Sequence, residues 1–264
     1  MTLHAFDLLE RVRRQQPVVH HLTNWVTIYD CAQVVKSLGA SPVMAHAREE
    51  VEDMVQIASA LVLNIGTLTP EMIEAMKLAA KAANRKGIPV VLDVCGAGAT
   101  GLRDRKCLEL LDEAPIGVIK GNASEVARIG GQSVRTKGVD AAEVTGDLAA
   151  LARKLAKERE ATVVITGKED IVTDGARTYR VANGHEMMTR VVGTGCMAAS
   201  VIGTFVAVER DLAAAAASAL ACFGIAGEVA ASGSQGPVSF KQALLDALYG
   251  LDRPTVERLQ RVHG

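Results

Sequence analysis

LVLNIGTLTPEMIEAMKLAAKAANRKGIPVVLDV, residues 61–94, sets two short apolar runs on either side of one helical stretch. The first run, 61–65, stops at Gly66. Thr69-Pro70-Glu71 then opens a helix, with proline in the first turn, where its missing N–H costs no hydrogen bond, and Gly87 marks the end. The second run, 88–94, stops at a glycine cluster. Both runs are apolar on both faces, as parallel strands covered by helices are. The pattern recurs in 116–120, closed by Gly121-Asn122, and in 162–166, closed by Gly167, with helical stretches such as 148–157 between. Turn signals at Thr173-Asp174-Gly175 and Asn183-Gly184 predict a hairpin at a sheet edge. From Gly195 onward the pattern is mostly helical. No Pro/Ser-rich linker, low-complexity tract or repeat interrupts it. The expected fold is α/β: one domain over 1–264 with an open, mostly parallel central sheet. Such sheets bind ligands at the C-terminal ends of their strands, where the polar residues Asn64, Asp93, Lys120 and Thr166 collect.

The composition narrows the function classes. The 264 residues carry 29 Lys and Arg against 30 Asp and Glu, for a net charge of −1, with 49% hydrophobic residues. A near-neutral chain lacks the basic excess of a nucleic-acid binder, and 3% aromatics leave little for base stacking. The five cysteines form no C-x-x-C pair, which fits a reducing compartment. Leu3, Phe6, Leu9 and Val12 mark one face of an N-terminal helix rather than a signal-peptide core. The Ala-rich stretch 212–231 contains Glu228 and follows a short apolar run, and the two read as closely packed, buried helices. A cytoplasmic protein without membrane contact is expected.

Three loops can carry chemistry. Residues 96–101, GAGATG, match G-x-G-x-x-G after a strand. The acid that should bind a ribose is missing, since the next strand ends at Ile119-Lys120. A glycine turn close to a ligand and a plain tight turn both remain open. Residues 193–196, GTGC, open a helix, where exposed N–H groups and the positive dipole end make an anion hole suited to a transferred phosphoryl group. Cys196 lies in that first turn, where a thiolate is stabilised. A small cysteine packing a loop is the alternative. In residues 120–125, KGNASE, Asn122 and Glu125 have capping-box spacing, which explains both residues structurally. Alternatively they organise water around a phosphate-bound metal while Lys120 meets a phosphate. His20-His21 are expected to face opposite sides of a strand, one buried and the other nearer a pocket.

In order along the chain, His20-x-Leu-Thr-Asn24, GASPVMA (39–45), LVLNIGTL (61–68), Leu92-Asp93 with GAGAT (96–100), KGNASE (120–125), KGVD (137–140), VITG (164–167) and GTGC (193–196) resemble the hydroxyethylthiazole kinases, which have the ribokinase-like three-layer fold. The resemblance implies transfer of the γ-phosphoryl of ATP, with Mg²⁺, to the alcohol of 4-methyl-5-(2-hydroxyethyl)thiazole for thiamine salvage. It implies a homotrimer with thiazole pockets at subunit boundaries. It places Met44 in the thiazole pocket, with Asn24, Gly66, Thr67 and Gly193 close by. It assigns Lys120, Thr166 and Asn122 to ATP, Asp93 and Glu125 to the metal and phosphate region, and Gly193, Thr194, Gly195 and Cys196 to catalysis. Most ribokinase-like kinases carry Asp as base where this sequence has Cys196, so Cys196 is expected to position the alcohol, because a loose phosphoryl-transfer transition state needs little base help. Val94-Cys95 stands where Pro-Val is common. Trp25 and Tyr29 lie in a stretch, 25–33, that is usually less bulky, and they are expected to pack at the trimer interface rather than narrow the pocket. The rival readings are a ribokinase-like kinase or ATP-dependent hydro-lyase for another small molecule, and a non-catalytic nucleotide- or thiazole-binding regulator.

Overall fold

The computed structural model describes residues 3–132 and 146–264. The KGVD stretch at 137–140 lies outside the described residues. Nine strands form one sheet: β1 (Val18–Leu22), β2 (Ser41–Val43), β3 (Ala60–Asn64), β4 (Val90–Asp93), β5 (Val118–Asn122), β6 (Thr162–Thr166), β7 (Asp170–Thr173), β8 (Thr178–Val181) and β9 (Val262–His263). The spatial order is β2-β1-β3-β4-β5-β6-β7-β8-β9. The first six strands run parallel and the last three antiparallel. This is the expected mostly parallel α/β sheet. The predicted hairpin is β7–β8, but the C-terminal β9 pairs with β8 and takes the outermost place.

The strands alternate between two cores although both faces are buried. Leu61 and Leu63 of β3, Leu92 of β4, and Val163 and Ile165 of β6 face one helix layer. Val62, Val91, Val118 and Val164 face the other, against the helices Ala5–Gln15, Thr194–Val206 and Leu212–Ala231. Each face carries the apolar run that a covered parallel sheet requires. Thr69 caps the helix Pro70–Lys86 by accepting from the Met72 N–H at 3.2 Å, and Gly87 ends it in the left-handed conformation. The third predicted strand, 116–120, is displaced two residues later, to β5, because Gly121 and Asn122 still pair with Ile165 and Thr166.

Leu212–Ala231 is long and apolar enough to cross a membrane, yet most of its side chains are buried against the rest of the chain. Its Glu228 accepts from Gly184 N–H at 2.8 Å and Asn183 Nδ2 at 3.1 Å. From β1 the chain steps out to β2 and then returns to β3 on the other side of β1. That reversal opens a crevice at the strand ends, the usual ligand site of such sheets.

Candidate active site

A cleft of about 410 Å³ lies at these strand ends, lined by Asn24, Gly66, Thr67, Asp93, Lys120, Asn122, Glu125, Thr166 and the 193–196 loop, among others. The sheet register sets the floor: Asn64 pairs with Asp93, Asp93 with Lys120, and Asn122 with Thr166. A hydrogen-bonded chain crosses it. Asn24 Nδ2 donates to Cys196 Sγ at 3.3 Å and to Asn64 Oδ1 at 3.0 Å. Asn64 Nδ2 donates to Asp93 Oδ2 at 2.9 Å, and Lys120 Nζ reaches both Asp93 oxygens at 3.2 Å. Asn24 Oδ1 in turn accepts from the Thr27 amide and hydroxyl, both at 3.1 Å.

The 193–196 loop turns on Gly193, the cap of the helix Thr194–Val206. Gly193 has φ +94°, and a Cβ there would lie 2.4 Å from Thr27 Cγ2. Only glycine fits both the left-handed backbone and the contact. The Thr194 hydroxyl donates to the Met188 carbonyl at 2.8 Å, so it braces the loop. A Cβ on Gly195 would meet Lys120 Nζ at 3.5 Å, which brings the ammonium to the same helix terminus. Two sources of positive potential therefore converge on one side of the cleft.

Asn122 and Glu125 form the capping box in full. Asn122 Oδ1 accepts from the Glu125 N–H at 2.9 Å, and Glu125 Oε2 accepts from the Asn122 N–H at 2.7 Å. The other carboxylate oxygen of Glu125 accepts from the Gly96 N–H at 2.7 Å. Glu125 thus ties the GAGATG loop to β5. That loop is a tight turn into the helix Gly101–Glu113, capped by Thr100, and 96–101 contribute no residue to the cleft lining. Thr67 accepts from the Trp25 N–H at 3.0 Å, and Gly66 donates to Asn64 Oδ1 at 2.9 Å.

The titrating groups respond to burial and to one another. Burial pushes Asp93 up, to about 8, against the pull of Lys120. Burial also raises Glu125, opposed by Lys120 and by the two amides it accepts from. Lys120 is raised: burial would strip its proton, but the Asp93 and Glu125 carboxylates outweigh it. The Cys196 thiol is pulled down to about 5, first by a hydrogen bond from Cys95 and then by Lys120, against burial. Cys95, on the other end of that bond, is pushed up.

One expectation is corrected, that for the two histidines, while those for Met44, Trp25 and Tyr29 concern a second subunit. Met44 is half-buried and does not line the cleft of its own chain, because β2 ends before it and the chain turns away toward His46. His20 and His21 are both buried, and neither lines the cleft. His20 Nε2 bonds the Ala45 carbonyl at 2.6 Å, while His21 bonds Val19 O and Ser200 Oγ, because helices cover both sheet faces there. Trp25 and Tyr29 stay exposed, and the Trp25 ring packs edge-on to His46 with centroids 4.7 Å apart. The neighbouring Val26 reaches the cleft, as do Thr27, Cys95 and Arg190, to none of which the sequence reading gave a role in the site.

Set beside known proteins, residues 9–254 match the hydroxyethylthiazole kinase family. A hydroxyethylthiazole kinase of Methanosarcina mazei is 52% identical over 254 residues, which is 96% of this chain and 97% of that one. The structure of the hydroxyethylthiazole kinase protein from Pyrococcus horikoshii superposes with a TM-score of 0.90 at 40% identity, covering 98% of both chains. A ribokinase-like superfamily protein from Enterococcus faecalis shares only 14% identity, yet its TM-score of 0.64 over 94% of this chain and 97% of its own shows the same fold. On both its sequence and its fold, the chain belongs to the hydroxyethylthiazole kinase family.

Proposed function

We propose that this chain, as one kinase domain, transfers the γ-phosphoryl of ATP to the primary hydroxyl of 4-methyl-5-(2-hydroxyethyl)thiazole. The observation that carries the proposal is the convergence of the Gly193–Cys196 helix terminus and the Lys120 ammonium beside the Asp93 carboxylate, in a cleft that Asn24 also lines. Charge develops on the transferred group, and preorganised donors aimed at it supply most of the rate in such reactions.

Lys120, Asn122 and Thr166 take the polyphosphate side of the cleft. Arg190 lines the same cleft and forms no hydrogen bond or ion pair with the described residues, so its guanidinium is free to meet phosphate oxygens. Asn24, Gly66, Thr67 and Gly193 take the alcohol side. Asn24 orients Cys196, and Cys196 holds the hydroxyl in line with the γ-phosphorus. A Cys196→Asp protein that keeps measurable turnover supports this positioning role; a folded but inert one refutes it.

The residues present fit a phosphate-bound Mg²⁺. Asp93, Glu125 and the Cys196 thiol surround a single ammonium, so the cluster holds more acid than cation. Both Glu125 oxygens already accept backbone N–H groups, and among the described residues no set of three ligating side chains forms a cage. Asp93 and Glu125 would therefore hold the ion through water, with phosphate oxygens as its main ligands. Mg²⁺ would neutralise charge on the transferred and leaving phosphates. We assign the protein to the cytoplasm. We also assign it a trimeric state, in which Met44 serves the thiazole pocket across a subunit boundary beside the exposed Trp25 and Tyr29.

ADP release tests the function, measured with purified protein, ATP and Mg²⁺. Turnover with the hydroxyethylthiazole, absent with a methylthiazole that lacks the hydroxyl, is the expected result. ATP binding without turnover would point to another alcohol. Loss of ATP binding as well would favour a non-catalytic regulator.

A further inference from the structure

The structure brings together two thiols that lie far apart in sequence. Cys95 follows β4 by two residues, and Cys196 lies in the first turn of the helix Thr194–Val206. Both line the same cleft, where their thiols perturb each other. Both are partly open to solvent, whereas Cys31, Cys107 and Cys222 are buried. Asn24 Nδ2 holds Cys196 Sγ at 3.3 Å, so the sulfur has a fixed position beside its neighbour. A plain packing role would not require two partly exposed thiols in one cleft.

We infer that Cys95 and Cys196 form an oxidisable dithiol, a modification site at which a hydroperoxide generates a disulfide and shuts the cleft. The chemistry balances in two steps. The Cys196 sulfur attacks one oxygen of hydrogen peroxide; the S–O bond forms, the O–O bond breaks, and water leaves with the thiol proton, giving a sulfenic acid. The Cys95 sulfur then attacks the Cys196 sulfur; the S–S bond forms, the S–O bond breaks, and the hydroxyl departs as water with the Cys95 proton. Two thiols lose two electrons and one peroxide becomes two waters. The disulfide draws Cys196 toward Cys95 and away from Asn24, which removes the group that aligns the alcohol. A thiol reductant reverses the change. With Cys95 as a resolving partner, Cys196 stops at the disulfide rather than climbing to the irreversible sulfinic acid.

The test treats the full-length reduced protein with hydrogen peroxide, then reads intact mass, disulfide-linked peptides and kinase turnover before and after dithiothreitol. The expected result is a loss of about 2 Da, since a disulfide forms from two thiols with loss of two hydrogens. A single Cys95–Cys196 cross-linked peptide and loss of turnover that dithiothreitol restores complete it. Cys95→Val, compared with its own reduced activity, is expected to gain oxygen at Cys196 and to stay inactive after dithiothreitol. Added oxygen at Cys196 in the unaltered protein without a cross-link, a cross-link to Cys31, or no change at either cysteine overturns the inference. The mass and peptide readouts do not depend on the kinase reading: a Cys95–Cys196 cross-link in a protein that shows no turnover even when fully reduced would refute the proposed substrate and leave the dithiol standing.

Discussion

Replacing Gly193 by alanine should damage the protein twice, and the two injuries can be separated. At φ +94° an L-residue occupies left-handed backbone, which costs about 1–2 kcal/mol. The new Cβ would also lie 2.4 Å from Thr27 Cγ2, and forcing a methyl into such a contact costs about 1–3 kcal/mol. Thr27 cannot retreat freely, because its amide and hydroxyl both bond Asn24 Oδ1, and Asn24 in turn holds Cys196 and Asn64. Gly193→Ala should therefore lose about 2–5 kcal/mol of stability, the sum of those two ranges. It should also lose on the order of a hundredfold in kcat/KM, the usual effect of misplacing reacting groups by an ångström. Thr27→Ser deletes the clashing methyl and keeps the hydroxyl that bonds Asn24. In the Gly193→Ala/Thr27→Ser double variant the steric part should return, leaving the backbone cost. Urea unfolding of the four proteins gives the coupling directly. Effects that add to within about 0.5 kcal/mol would show that the two sites do not touch, and would refute the reasoning.

Three further outcomes follow from the same geometry. Glu125→Gln places an amide NH₂ against one of the two backbone N–H groups that the carboxylate accepts, so urea unfolding should show a loss of about 1–3 kcal/mol; an unchanged midpoint would sink the bridging role. Arg190→Gln should cut kcat/KM for ATP by about ten- to a hundredfold, the size of a charge-assisted hydrogen bond, and leave KM for the thiazole unchanged; a matching rise in the thiazole KM would contradict the assignment to phosphate. Burial lowers His21 from 6.5 to about 4, so the unfolded chain binds the extra proton first, and stability is full above pH 6.5 and lost as pH falls toward 4. His21 should contribute about 3 kcal/mol of that loss, and His21→Gln should flatten the stability–pH curve over this window; an unflattened curve would refute it.

The strands and the polar residues at their ends were legible because covered parallel strands are written as unbroken apolar runs. Asn64, Asp93, Lys120 and Thr166 stand out as the places where polarity interrupts such runs. The glycines of the 193–196 loop were legible for the same local reason, since they precede an apolar helix. What stayed hidden depends on contacts between distant segments. Thr27 matters because of Gly193, and Cys95 because of Cys196, and no local pattern in the sequence couples either pair. Arg190 was one cation among many until the fold set it in the cleft without a partner among the described residues. The two histidines misled because alternation along a strand predicts opposite faces but says nothing of burial, and here helices cover both faces. Within KGNASE, the capping and phosphate-side readings are not rivals: the geometry fulfils the cap and places the same residues at the cleft.

The most direct test of the account follows the phosphoryl group itself. ATP labelled in its γ-phosphoryl is incubated with the hydroxyethylthiazole, Mg²⁺ and either the unaltered protein or Gly193→Ala. The account predicts label in a thiazole phosphate ester with the unaltered protein, none when the metal is chelated, and far less with Gly193→Ala than with the double variant that also carries Thr27→Ser. Label appearing only as inorganic phosphate, or transfer that Gly193→Ala leaves untouched, would contradict the claim that the anion hole at Gly193–Cys196 carries the group to the alcohol.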